Sequence, residues 1–465
     1  MTYQIIIVLL IMIIIYILTV TLSYRKHKDV SEQFKASFCP GDCYGEAPGR
    51  ERTAYITDNY EAMLYRLQMI ARADKEICLS TFEIYDDDIG KDLMSALLLA
   101  AERGVRVTVM TDGINAFMEL RGSNWFQAFA SHKNITLLVY NQVNLLHPTR
   151  LQARLHDKYM IIDEQMYLLG GRNSNTLFLG DYKTRHNTDR ELFVYLSEPN
   201  GDSSLNQLKE YFKTIIALPE NAVFQCKVYT DQIKTCYQEL LGREAHLKAA
   251  YPLAYTEPDW ESKTVETNKI TLLSNPIQPI NKEPEIWYML HQLMLTGEEI
   301  TIHTPYIICG KEMYRDLNLL CKETKAVKII TNDPANGANP WGCTDYLNHK
   351  RQIRETGAQI YEYSSENSLH SKLIRIDDRI SVVGSYNLDM RSTYIDTELM
   401  LVVDSRPLNA ILTTEEEDTT SYCRTMIEGG RIIEGENYDR KVIRGRKRIM
   451  YVLLRAVVIV LRRFL

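Results

Sequence analysis

Two stretches of this chain read almost alike. The first is His156-Asp-Lys158-Tyr-Met-Ile-Ile-Asp163, followed by Gly170-Gly-Arg-Asn173. The second is His370-Ser-Lys372-Leu-Ile-Arg-Ile-Asp377, followed by Gly384-Ser-Tyr-Asn387. In both, Lys stands 2 residues after His, Asp 7, Gly 14 and Asn 17. Such agreement marks an internal duplication. An acidic pair follows each block, Asp189-Arg-Glu191 and Asp396-Thr-Glu398.

The surroundings of the two blocks repeat as well. Glu76–Thr81 reads as a buried strand, Ile89–Arg103 as a helix and Gly104–Met110 as a strand. In the second half Glu299–Thr304, Lys311–Lys322 and Val327–Ile330 give the same order. Strand–helix–strand units of this kind build mixed or parallel sheets covered by helices. The predicted fold class is therefore α/β, with two pseudo-twofold-related repeats of mixed β-sheet flanked by helices. Further helices are expected at 204–218 and 230–250, and a linker at 251–269.

With 465 residues, 45% hydrophobic and 25% charged, the chain is long and apolar enough for two or three cored domains. The expected divisions are a membrane anchor at 1–28, a spacer at 29–52, the first repeat at 53–260, the second at 261–410 and a C-terminal region at 411–465. Ile5–Leu22 is an uncharged run of 18 residues. As a helix it covers about 27 Å, one hydrocarbon core. It lacks the basic leader and small-residue cleavage site of a signal peptide. Arg25, Lys26 and Lys28 follow the run and no basic residue precedes it, which places the body on the cytoplasmic side of a single-pass cell-membrane protein.

Charge is uneven. Net charge is −6, yet Arg440–Leu465 holds nine Lys/Arg and no acid, leaving the other 439 residues at −15. Lys441, Arg444, Arg448, Arg455 and Arg462 fall on one helical stripe. A helix lying on an anionic lipid surface with its arginines toward the headgroups is the expected arrangement. The acidic body argues against a nucleic-acid groove. The nine cysteines are scattered without a CxxC pair, and Cys39 and Cys43 alone make no zinc site.

The repeated blocks carry the chemistry. In His-x-Lys, i and i+2 share one face of an extended strand. The glycines at 170–171 and at 384 then deliver Asn173 and Asn387 to the same pocket. Two imidazoles, two ammonium groups and two amides suit a phosphodiester. Lys158, Lys372, Asn173 and Asn387 hold charge on phosphorus-bound oxygens. One imidazole attacks phosphorus, and the other protonates the leaving alkoxide and then deprotonates the incoming alcohol. Glu191 and Glu398, matched by aligning the repeats, are chosen as the carboxylates that orient the histidines, with Asp189 and Asp396 as close alternatives. Asp163 and Asp377 read as turn-holding members of the motif. Gly171 and Ser385 occupy equivalent positions, so one half lacks a hydroxyl near the substrate. Arg172 is either a phosphate contact or a surface residue. Arg391 is expected to pair with Asp389, and His303 to be a hydrogen-bonded core residue.

The doubled His-x-Lys-x4-Asp pattern, each with Gly-[Gly/Ser]-x-Asn downstream, resembles the phospholipase D superfamily over roughly residues 50–410. Within it, Gly170–Asn173, Ala100–Val107, Thr304-Pro-Tyr306 and Gly384–Ser392 resemble bacterial cardiolipin synthases of the phospholipase D type. The resemblance implies a membrane-bound phosphatidyltransferase that makes cardiolipin from phosphatidylglycerol and a second phospholipid. It also implies a phosphohistidine on His156, His370 as general acid/base, and no metal or other cofactor. Many such relatives carry two N-terminal membrane helices, whereas this chain shows one. The alternative at the same site is hydrolysis of phospholipid or nucleic acid. A non-catalytic scaffold fits poorly with two intact motifs.

Overall fold

The computed structural model describes residues 2–198 and 201–465. The first half supplies β1 Glu51–Ile56, β2 Glu76–Thr81, β3 Arg106–Asp112, β4 Ile135–Tyr140, β5 Tyr159–Ile162, β6 Met166–Gly170, β7 Asn187–Thr188, β8 Glu191–Leu196, β9 Ala222–Phe224 and β10 Val265–Glu266. The second supplies β11 Lys269–Ser274, β12 Glu299–His303, β13 Ala326–Asn332, β14 Gln359–Tyr363, β15 Ser368–Leu369, β16 Leu373–Ile376, β17 Ile380–Gly384, β18 Leu399–Asp404, β19 Cys423–Met426 and β20 Ile432–Glu434.

Two nine-stranded sheets result, ordered β10-β1-β8-β6-β5-β2-β3-β4-β9 and β11-β18-β17-β16-β12-β13-β14-β19-β20. In each, three strands are parallel (β2-β3-β4, β12-β13-β14) and the others antiparallel. Helices Asp88–Glu102 and Lys311–Glu323 make the equivalent crossovers. The mixed α/β duplication read from the sequence is the observed fold.

Each half has its own apolar core. A third cluster joins them: Leu155, Tyr159 and Leu192 pack with Leu373, Leu399 and Leu401 of the other half. The two sheets thus meet through their strand faces. β7 and β15 then pair across the join, Asn187 with Ser368 and Thr188 with Leu369. That junction brings the two motif blocks together. The segment 29–52 packs on the second half: Cys43 is buried in its core, Phe34 and Phe38 lie against it, and Gly45 N donates to Asp404 Oδ2 at 2.8 Å.

The N-terminal helix spans Thr2–Leu22, long and apolar enough to cross a bilayer, and none of its apolar window is buried. The C-terminal helix, Gly445–Leu461, differs from expectation. Three of the five residues of its basic stripe bond to the protein. Lys441 Nζ donates to Asn336 Oδ1 at 2.7 Å, Arg455 Nε to Asn348 Oδ1 at 2.8 Å and Arg462 Nε to Asp345 Oδ1 at 2.9 Å. The cause is local: helix Pro340–Glu355 offers acceptors in register with that stripe, and Tyr451 and Val458 bury beside it. Ile449, Val452, Leu453, Ile459 and Val460 are left facing outward, along with Arg444, Arg446 and Arg448. The end of the chain meets the exit of the N-terminal helix, where the Phe464 ring stands edge-on to Tyr24 at 6.3 Å.

Candidate active site

The two His-x-Lys segments lie just ahead of β5 and β16, in extended backbone outside the ladders. The junction between halves fixes both. His156 N donates to Thr397 Oγ1 at 3.0 Å, and His370 N to Thr188 O at 2.7 Å. Each histidine is thereby held by the opposite half.

The side chains follow the same rule. His156 Nδ1 lies 2.8 Å from Glu398 Oε1, and His370 Nδ1 lies 2.5 Å from Asp189 Oδ2. Glu398 therefore sits where expected, but Glu191 does not. Its carboxylate is bound bidentately by Arg66, and Arg172 stands 3.8 Å away. The ladder explains the difference. Gly170 pairs with Glu191, whereas Gly384 pairs with Met400. Asp189 is thus the structural equivalent of Glu398, and Glu191 that of Met400. Matching the two Asp-x-Glu runs shifts the alignment by one strand period, which keeps the face and hides the slip. Gly171 is needed for this geometry, because a Cβ there would fall 2.4 Å from Asp189 Oδ1. In the other half the Ser385 hydroxyl instead donates to Glu398.

Lys158 and Lys372 are buried beside the histidines. Lys158 Nζ donates to His156 O at 2.6 Å, and Lys372 Nζ stands 3.6 Å from Asp189 Oδ2. Asn173 Nδ2 donates to Glu83 Oε2 at 3.0 Å, and Asn387 Nδ2 to Tyr306 Oη at 3.3 Å. The amide oxygens of both are buried without a hydrogen-bond partner among the described residues. Phe82 and Phe178 stand edge-on to His156 and His370, at 5.0 and 4.9 Å.

Asp163 and Asp377 lie in the turns after β5 and β16, with φ of +52° and +49°. Asp163 accepts from the backbone N–H groups of Asp74, Lys75 and Glu76, and Asp377 from those of Glu298 and Glu299. They tie each motif hairpin to the start of β2 or β12.

Three single residues depart from expectation. Arg172 is neither at the surface nor in the pocket. It is fully buried and donates to Thr57 O at 2.6 Å. Arg391 pairs with Asp396, not Asp389, with Nε to Oδ2 at 2.9 Å. Asp389 instead caps the helix Met390–Tyr394. His303 is buried, but neither ring nitrogen has a hydrogen-bond partner among the described residues.

Electrostatics separate the halves. Burial would raise Asp189, yet Lys372 and His370 hold it well below the usual carboxylate range. Burial pushes Glu398 up to about 7 despite Lys158. Burial and Lys372 lower His370 to about 4, and burial and Lys158 lower His156 well below the ordinary imidazole value. Lys158 is lowered to about 7 by burial. Burial disfavours the charged forms of these bases, and an anion entering the centre favours them.

Sequence reasoning missed Lys282, which lies on the segment between β11 and helix Glu285–Met294. Its N–H donates to Tyr394 O at 2.8 Å, the residue is 1% exposed, and its Nζ has no hydrogen-bond partner among the described residues. Asp157, Asp396 and Glu398 surround it with negative charge, and Arg391 opposes them. Asp157 Oδ1 and Asp396 Oδ1 are likewise buried and without a hydrogen-bond partner among the described residues. At the equivalent positions of the other half stand neutral Ser371 and Asn187. The ammonium therefore offsets carboxylates found only behind His156. Glu398 also faces Lys158, Lys372, Ser385 and Ser392. Removing one cation from this set raises the carboxylate pKa values. Lys282→Met is expected to move the acid limb of the kcat/KM profile upward by about one pH unit. A pH–rate series checks this, and a limb that stays in place refutes it.

Comparison with known proteins agrees with the geometry. Residues 67–216 and 289–418 match the family described as cardiolipin synthase, PLD-like domain. An uncharacterized protein of Helicobacter pylori is 24% identical over 410 residues, covering 77% of each chain. The major cardiolipin synthase of Bacillus subtilis is 24% identical over 387 residues, covering 78% of this chain and 68% of its own. The crystal structure of phosphatidylserine synthase from Haemophilus influenzae superposes with a TM-score of 0.62 at 15% identity, over 89% of this chain and 95% of that one. The duplicated motif, the paired sheets and the matched residues together place this chain in the phospholipase D superfamily, within the cardiolipin synthase family of PLD-like domains.

Proposed function

We propose that this protein is a membrane-bound phosphatidyltransferase that makes cardiolipin from phosphatidylglycerol and a second phospholipid. The observation that carries the reading is the reciprocal pair of histidine–carboxylate contacts beside two buried lysines. His156 attacks the donor phosphorus through Nε2, since Glu398 occupies Nδ1, and forms a phosphohistidine. His370 protonates the leaving alkoxide and then takes the proton of the incoming alcohol. The division of labour is supported by charge. Asp189 is held ionised and opposes the lowering that burial and Lys372 impose on His370, whereas Glu398 is pushed toward neutrality behind His156. Lys158, Lys372 and the amides of Asn173 and Asn387 are the groups that hold the equatorial oxygens. The relatives named as cardiolipin synthase and phosphatidylserine synthase support phospholipid chemistry at this site.

The N-terminal helix anchors the protein in the cell membrane, with the body on the cytoplasmic side. The outward apolar face of the C-terminal helix rests in the headgroup layer, with Arg444, Arg446 and Arg448 toward anionic lipid. Each large apolar side chain buried there contributes about 1.5–3 kcal/mol. Substituting glutamate at Leu453 and Val460 is expected to cut turnover on anionic vesicles by more than about tenfold, with a much smaller loss in detergent micelles. Equal losses in both would remove the helix from the membrane.

The decisive assay incubates purified protein with labelled phosphatidylglycerol, alone and with phosphatidylethanolamine, and separates the lipids. Cardiolipin is the expected product. Phosphatidic acid alone would make the enzyme a phospholipase D.

A further inference from the structure

A cavity of about 410 Å³ has Leu177, Arg185, Ser368, Lys447 and Tyr451 among its lining residues. It lies on the His370 side. Ser368 and its β-partner Asn187 both line it, and each is two residues from a catalytic group, His370 or Asp189, roughly 7 Å of extended chain. Leu177 is followed by Phe178, whose ring touches His370. The far wall is the C-terminal helix, which lies outside the residues that the family shares.

Its charge is unusual for a protein whose body is acidic. Arg185 is exposed, and Lys447 Nζ donates to Ala335 O at 2.8 Å. Neither has a carboxylate within ion-pair distance among the described residues, and Glu366 is the one acid on the lining. Burial lowers the Lys447 ammonium, aided by the cations Lys441 and Arg185 and opposed by Cys343 and Asp333. Arg185 and Lys447 outnumber Glu366 on this lining, and the net positive charge suits an anion.

We propose that this cavity binds the phosphodiester of the acceptor phospholipid and so presents the acceptor's hydroxyl to His370. The inference rests on the transferase reading above. In the resolving step the acceptor oxygen bonds to phosphorus as the bond between phosphorus and His156 Nε2 breaks. That electron pair returns to the imidazole, and the hydroxyl proton passes to His370. When the acceptor is phosphatidylglycerol, its hydroxyl and its own phosphate are joined by a single glycerol unit. An anion site next to the acid/base residue therefore matches that acceptor, whereas water and simple alcohols carry no charge to fill it.

The test uses the full chain in detergent micelles, with labelled phosphatidylglycerol as donor and acceptor and ethanol as a competing neutral acceptor. The ratio of cardiolipin to phosphatidylethanol is measured for wild type, Arg185→Ala and Lys447→Ala. The ratio is expected to fall about tenfold for each variant, the value of a hydrogen bond to a charged group. A ratio that stays at the wild-type value in Arg185→Ala overturns the proposal. Because Arg185 is exposed, that variant decides the matter even if Lys447→Ala fails to fold. A wild-type chain that makes phosphatidylethanol but no cardiolipin overturns the acceptor site and leaves phosphatidyl transfer standing. One that makes neither product overturns both.

Discussion

His156→Ala is expected to abolish turnover and the covalent phosphoenzyme together. His370→Ala should lower kcat by about 10²–10⁴ and still allow slow adduct formation. The difference follows from the two roles. Without a nucleophile no nitrogen can accept the phosphatidyl group. Without the acid the leaving alkoxide departs unprotonated, which is slow but chemically open. Rapid quenching with phosphorus-labelled lipid, at alkaline pH to preserve a phosphohistidine, reads both quantities. An adduct on the His156→Ala chain would transfer the nucleophile's role to His370. Near-wild-type turnover in either variant would dismiss the two-histidine mechanism.

The second large effect separates two acidic residues that are close in sequence. Asp189→Asn is expected to reduce kcat on the order of ten-thousandfold, as when a buried carboxylate behind a catalytic histidine is neutralised. The fold should survive, because burial already disfavours the Lys372 ammonium, which can shed its proton, whereas the arginines beside Glu191 cannot. Glu191→Gln should do the reverse. It strips the charge that Arg66 and Arg172 face in the interior. Leaving such cations uncompensated costs about 3–5 kcal/mol. The folded Glu191→Gln enzyme should keep most of its kcat while denaturing at distinctly lower urea concentration. Circular dichroism during urea titration, with steady-state assays on both variants, distinguishes them. A stable but inactive Glu191→Gln and a fully active Asp189→Asn would reverse the assignment.

Much of this architecture was legible in the chain. The spacing of His156, Lys158 and Asp163 against His370, Lys372 and Asp377 is a local signal, and so are the strand and helix periodicities. The contacts that were missed are non-local. No window of sequence shows that His156 borrows Glu398 from 242 residues away. The Asp189/Glu191 ambiguity is intrinsic to a strand, because residues two apart present one face. The register is settled by the ladder, through Gly170 and Gly384. Lys282 carries no motif and becomes visible only when burial shows an ammonium with nothing bound to it. The C-terminal helix was read with its basic stripe outward, because the sequence does not reveal that Asp345 and Asn348 wait on a neighbouring helix.

The exchange of carboxylates between halves also bears on descent. If one repeat gave rise to both, its earliest working form was two identical copies, each lending its acid to the other's histidine. Fusion freed the copies to drift, but only in linked steps. An aspartate could settle at 189 where position 171 had no side chain, and a glutamate at 398 where a serine at 385 could brace it. Homologous chains should therefore inherit these residues as couples, glycine with aspartate and serine with glutamate.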